Sequence, residues 1–248
     1  MNKRVLFGIL LVLALTLALV GTVSAQTSPT TVTFHVHTGA APGTGQAGYR
    51  VHVYNPGGGE VAWKDTDGSG DALFTLNDGS TYEYAVEKNG SYSARQSFTA
   101  SDGLTVNHRL SVVTINVKDS GGGGHDGYRV HVYRSGGGGG GEWAWQDSAG
   151  GGVTTFYMVD GSYSYRVEKN GSYGVPRDFN LSYNTSNYDL NATYRLSRVT
   201  VTIGDNHSGV HEGYRVHVYR DSGGGGGEWA WQDSDASGLT TFYMVDGF

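Results

Sequence analysis

Apolar and polar positions alternate strictly along this chain, in blocks that can be laid over one another. Val32-Thr33-Phe34-His35-Val36, Val113-Thr114-Ile115-Asn116-Val117 and Val199-Thr200-Val201-Thr202-Ile203 each open a block. A period of two residues is the pattern of a half-buried strand. Each block continues with the heptapeptide Gly-Tyr-Arg-Val-His-Val-Tyr, which begins at Gly48, Gly127 and Gly213, spacings of 79 and 86 residues. A solenoid unit runs to roughly 20 to 50 residues, so periods this long suit small sandwiches with a core each.

Within a strand, successive side chains point to opposite faces. Tyr49, Val51 and Val53 therefore share a core face, and Arg50, His52 and Tyr54 share the outer one. The same rule places Phe74 with Leu76, Phe156 with Met158 and Phe242 with Met244 inward, as it does Tyr82, Tyr84 and Val86, or Tyr163, Tyr165 and Val167. Trp63, Trp145 and Trp231 are expected to join these cores. Lys88-Asn89-Gly90-Ser91 and Lys169-Asn170-Gly171-Ser172 read as tight hairpins, because Asn-Gly accepts the positive φ such turns require. The fold class is all-β: tandem antiparallel β-sandwich domains with the third copy incomplete. The boundaries drawn are a leader over 1–25, repeats over 26–111 and 112–197, and a partial repeat over 198–248. That last copy lacks three strands, which is expected to expose Val216, Val218, Phe242 and Met244.

Composition adds the compartment. Asn2-Lys3-Arg4, an apolar run from Val5 to Val20 and Val23-Ser24-Ala25 have the form of a secretory leader, with the cut after Ala25. The expected location is secreted, extracellular or at the cell surface, with no membrane span once the leader is removed. The formal charge of −6 argues against nucleic acid as a partner. With no cysteine, stability must come from burial and strand pairing. The 41 glycines against 4 prolines indicate short strands and many turns, and no Gly-X-Y period is present.

The run Gly48 to Tyr54, Thr66 to Gly70, Phe74 to Gly79 and Tyr82 to Glu87 resembles the prealbumin-like sandwich modules, among them carboxypeptidase-regulatory-like domains and the collagen-adhesin B-type repeats of bacterial surface proteins. The resemblance covers most of the first two copies. It implies a fold, shared by stalks, adhesin repeats and accessory domains of secreted enzymes. Some adhesin repeats carry a lysine on the first strand joined covalently to a late-strand asparagine beside a buried acid. The resemblance maps that trio onto Lys118, Asn191 and Glu168, whereas the other copies have His37 and Gly204 in place of the lysine.

Candidate chemistry is weighed by whether it recurs between copies. Asp65 to Asp71 has oxygen donors at calcium-loop spacing but no closing glutamate, and the other copies change the set, so it reads as a polar turn. His35, His37 and His52 could converge in the first copy, yet Asn116 and Thr202 replace His35 in the others, so no metal site and no cofactor is assigned. The tracts Gly121 to Gly124, Gly136 to Gly141 and Gly223 to Gly227 lack the Lys-Ser or Lys-Thr of a phosphate loop and read as flexible connectors. The sequons at Asn89, Asn170, Asn180, Asn184, Asn191 and Asn206 read as turn residues. No catalytic arrangement is found.

Two features remain as contacts for a ligand or partner. One is the outward stripe: Arg50, His52 and Tyr54, then Arg129, His131 and Tyr133, then Arg215, His217 and Tyr219. The other is Trp143 and Trp229, where the first copy has Val61. These two indoles either stack on sugar rings or plug the core beneath the glycine loops, the latter being favoured. The expected function is a secreted structural or adhesive repeat protein whose partners are other subunits, an extracellular surface or a glycan. The alternatives are a carbohydrate-binding accessory region of a larger enzyme and a filament subunit completed by a strand from another chain.

Overall fold

The computed structural model describes residues 28–135, 141–182, 189–207, 209–220 and 227–246. The leader, most of the two longer glycine tracts and Asn184 lie outside the described residues. The described chain is all-β, and no helix in it is long and apolar enough to cross a membrane.

The first unit contains β1 (Pro29–Thr38), β2 (Thr44–Gly45), β3 (Arg50–Tyr54), β4 (Glu60–Asp65), β5 (Asp71–Asn77), β6 (Thr81–Lys88), β7 (Ser91–Tyr92), β8 (Gln96–Thr99) and β9 (Leu104–Arg109). One sheet places β1 between antiparallel β5 and parallel β9; the other runs β4-β3-β6, with β7 and β8 both on β6. Val32, Phe34, Val36, Val51, Val53, Phe74, Tyr84 and Val86 fill the space between them. Phe34 is the hub, with Phe74 and Phe98 edge-on at 5.3 and 5.1 Å.

The second unit repeats the plan with β10 (Ser111–Lys118), β11 (Arg129–Arg134), β12 (Glu142–Asp147), β13 (Val153–Met158), β14 (Gly161–Lys169), β15 (Ser172–Tyr173), β16 (Arg177–Leu181) and β17 (Leu190–Arg195). Its sheets are β13-β10-β17 and β12-β11-β14, with β15 and β16 on β14. In the third, β18 (Ser197–Thr202) pairs with β21 (Leu239–Met244), and β19 (Arg215–Tyr219) with β20 (Glu228–Asp233).

Units follow one another almost without a break. A single residue, Leu110, separates β9 from β10, and Leu196 separates β17 from β18. Both leucines are buried in the core of the unit they leave.

Four expectations change. Trp63, Trp145 and Trp231 are 51%, 50% and 52% exposed, not buried. They lie directly opposite His52, His131 and His217, and residues opposite one another in an antiparallel pair share a face. The pairs β3–β4, β11–β12 and β19–β20 also each shift register by one residue, leaving Val61, Trp143 and Trp229 as the extra residue of a β-bulge. A bulge re-aims its side chain, so Trp143 and Trp145 do not share a face: Trp143 is buried. Phe242 and Met244 are buried too, packed with Trp229, while Val216 and Val218 are half-buried. Finally, Gly121 to Gly124 form an ordered turn, in which the Asp119 carboxylate accepts from the Gly123 N–H and its backbone N–H donates to the Gly123 carbonyl.

Candidate functional site

The outward stripe is a self-contained polar network. Arg50 Nε donates to Asp65 at 2.8 Å, and its guanidinium lies 4.1 Å from the centre of the Trp63 ring. The second and third units repeat this with Arg129, Asp147 and Trp145, and with Arg215, Asp233 and Trp231. The aspartate beside it raises each arginine and the arginine lowers each aspartate, so both partners stay charged. His52 and His131 are buried beneath Tyr54 and Tyr133 with Nδ1 on Glu60 and Glu142; His217, with Glu228, is exposed.

The covalent trio implied by the resemblance is not brought together. Asn191 lies opposite Thr114 and bonds Asn116, whereas Lys118 lies four residues along, opposite Arg195. Four strand residues are roughly 13 Å. Glu168 is on the other sheet and accepts the Gly171 N–H. His35 spends both ring nitrogens on Asp71 and the Pro42 carbonyl, and no cluster suited to a metal occurs among the described residues. In the calcium-like loop, Asp67 Oδ1 accepts the N–H groups of Ser69 and Asp71, as Asp235 does for Ser237 and Leu239. The carboxylate closes a turn.

The arrangement that does recur in full joins one unit to the next. The Trp143 indole N–H donates to the Lys88 carbonyl at 2.9 Å, and the Asn89 side-chain amide donates to the Trp143 carbonyl at 2.8 Å. Arg134 donates to the Gly90 carbonyl, the Tyr49 hydroxyl to the Tyr157 carbonyl, and the Ala94 N–H to the Asp160 carboxylate. Between the second and third units the same five bonds use Trp229 on Lys169, Asn170 on Trp229, Arg220 on Gly171, Tyr128 on Tyr243, and Val175 on Asp246. Val159 inserts into the core of the first unit and Val245 into that of the second.

Local sequence explains each part. Asn89 and Asn170 take φ of 50° and are followed by glycines at 77° and 80°, the backbone of a two-residue hairpin. That turn aims the asparagine amide and two carbonyls, of Lys88 and Gly90 or of Lys169 and Gly171, out of the end of the sandwich. Lys88 donates to the Gly48 carbonyl with its ammonium 4.7 Å from the centre of the Tyr49 ring; Lys169 holds Tyr128 in the same way. Burial pushes the Tyr49 hydroxyl well above its usual value and that of Tyr128 up to about 12, so both remain donors.

No family model matches the sequence, and no curated protein matches it. Among solved structures, the chain is similar to the Bacillus anthracis TIE protein at 17% identity and a TM-score of 0.29, covering 67% of this chain and 34% of that one. A streptococcal ancillary pilin aligns over 88% of this chain and 87% of its own at 10% identity and a TM-score of 0.32. GBS52, the minor pilin of Streptococcus agalactiae, aligns over 67% of this chain and 94% of its own at 11% identity and a TM-score of 0.32. The chain thus spans about a third of the TIE protein. The fold stands on the strands and registers above, and these likenesses add nothing to function.

The first unit differs from the others on the face that docks. Where they have Arg134 and Arg220, Trp143 and Trp229, Val159 and Val245, it has Asn55, Val61 and Asn77. Val61 is exposed, with no hairpin of the described residues against it. The joint leaves its trace in the sequence as these three differences, of which Val61 against Trp143 and Trp229 is the one that sequence reading singled out.

Proposed function

We propose that the protein is an extracellular structural spacer whose sandwiches are locked in a fixed orientation, presenting the Arg-Trp face of the stripe at regular intervals, with His52 and His131 buried within it. The reading is carried by the recurrence of the joint: five hydrogen bonds, one buried tryptophan and one inserted valine in the same places twice. Interfaces between domains are mobile by default. A one-residue connection and a reused lock oppose that default, as nearest-neighbour coupling does in repeat arrays.

The stripe fits a contact surface, because its arginines and histidines are already paired with carboxylates within it. Its reading as adhesive rests on the half-exposed Trp63, Trp145 and Trp231, which sequence alone placed inside. Trp143 and Trp229, the tryptophans first considered for sugar stacking, are buried in the joints.

Two measurements test the proposal. Cell fractionation is expected to find the mature chain outside the cell, starting at Gln26; retention inside would overturn it. Small-angle X-ray scattering is expected to fit one rigid arrangement of units, with Trp143→Ala adding flexibility. A wild-type curve that requires freely moving units would equally remove the spacer reading.

A further inference from the structure

The two joints differ at one point. In the second, the Asp246 carboxylate is fully used: it accepts the Val175 N–H, the Tyr194 hydroxyl and, on Oδ2 at 3.1 Å, the Arg177 guanidinium. Burial pushes this carboxyl up, but the Tyr194 hydroxyl and Arg177 outweigh it and hold it below its ordinary value.

In the first joint the corresponding carboxylate, Asp160, accepts the Ala94 N–H on Oδ2 at 2.9 Å. Its Oδ1, the oxygen that takes the place of the one gripped by Arg177, is buried and has no hydrogen-bond partner among the described residues. Register explains the loss. Arg177 sits opposite Tyr165, and its counterpart opposite Tyr84 is Gln96; Tyr194 sits opposite Val117, and its counterpart opposite Val36 is His108. The glutamine carries no charge, and the imidazole is turned into the core of the first unit against Tyr84. With no cation beside it, burial raises the Asp160 carboxyl instead of lowering it.

Space accompanies the missing partner. A crevice of about 630 Å³ opens where the two units meet, lined by Gln96, Asp160, Ser162, Asn180, Leu181 and Ser182 among others. Clefts between domains are common ligand sites. The sister joint shows which group satisfies this carboxylate, namely a planar guanidinium whose fork suits a carboxylate edge. Gln96, the longest side chain on the wall, holds the register position from which Arg177 reaches its carboxylate in the sister joint.

We propose that this crevice is a binding site for a guanidinium group brought by a ligand, which takes the place that Arg177 fills in the second joint. The guanidinium comes from an arginine side chain of a partner protein or from a free small guanidinium compound. The proposal uses the closed joint of the spacer reading but not its rigidity.

The test is a titration of the full chain with N-acetylarginine amide, which presents the side chain as a polypeptide would, and with agmatine, which presents it free. The readout is the amide resonances of Ala94 and Gly161. Saturable shifts are expected with at least one probe. Binding of the amide alone points to a protein partner, and of agmatine alone to a small molecule. Asp160→Asn, which keeps an acceptor for the Ala94 N–H, is expected to weaken binding at least tenfold. Gln96→Arg, which supplies the guanidinium internally, is expected to abolish binding and raise the thermal midpoint of the first two units. Absence of saturable shifts in a chain whose joint is closed would overturn this proposal and leave the spacer reading standing. Equal affinity in Asp160→Asn or Gln96→Arg would do the same.

Discussion

The Asn89 side-chain amide donates to the backbone carbonyl of Trp143, 54 residues away and in the next unit. The Trp143 indole answers by donating to the Lys88 carbonyl. Each of these groups would otherwise sit desolvated without a partner, so the hairpin and the tryptophan need one another. Full burial of a large aromatic is worth roughly 2 to 3 kcal/mol. Trp143 packs on Phe156 and Tyr163 of its own unit, so its burial holds the second unit while its two hydrogen bonds hold the joint.

Trp143→Ala should therefore both weaken the core of the second unit and loosen its joint with the first. Large-to-small replacement of a buried tryptophan costs about 3 to 5 kcal/mol. Calorimetry is expected to show one coupled transition split into two, or shift strongly downward. Trp145→Ala, two residues on, should cost under about 1 kcal/mol, the scale of an exposed cation–π contact. Equal effects would mean that the bulge does not sort the two indoles as described.

Asn89→Gly keeps a residue that accepts the positive φ and removes only the amide, so a loss of about 1 kcal/mol is expected. Asn89→Asp places a carboxylate against the Trp143 carbonyl and should cost more. If urea melts rank them in the opposite order, the amide is not the donor.

The first unit should be acid-sensitive in a way the second is not. His108 is buried beside His37, and burial, with a smaller push from His37, lowers its pKa from 6.5 to about 3. Burial is also the main cause that lowers His37, with His35 and Arg109 adding to it. The unfolded chain takes up a proton below about pH 6.5, while the folded chain keeps His108 neutral. Stability is then complete above pH 6.5 and falls towards pH 3, by about 1.4 kcal/mol per pH unit for this histidine. The second unit has Tyr194 and Lys118 at these positions. His108→Phe should flatten the stability profile of the first unit between pH 6 and 4, as followed by the histidine and tyrosine resonances of each unit.

Strand register sets Asn191 opposite Thr114 and Lys118 opposite Arg195, so no covalent bond is expected between them. The intact mass of the mature chain should equal the sum of its residues. A mass lower by one ammonia, traced to a peptide containing both residues, would contradict the register.

Much of the fold was legible because alternation is local. Val51 with Val53, Phe74 with Leu76 and Tyr163 with Tyr165 all face the core as the period of two requires, and Asn-Gly marks both hairpins. The tryptophans were misplaced because the bulge that shifts their strand by one residue leaves no composition signal. The joint was hidden for another reason. Its polar partners are backbone carbonyls of Lys88, Gly90 and Tyr157, which any residue type could supply. What the chain does carry is the donor set, and its absence from the first copy, Val61 for Trp143 and Asn77 for Val159, is legible once the joint is known.

The central claim, that successive units are locked in one orientation, is tested most directly by a distance between them. The chain has no cysteine, so Ser69→Cys and Ala149→Cys, at the same exposed turn of the first and second units, can carry a spin-label pair uniquely. Pulsed electron resonance is expected to give one narrow distance distribution that broadens when Trp143→Ala is added. A broad distribution in the protein with Trp143 intact would contradict the account.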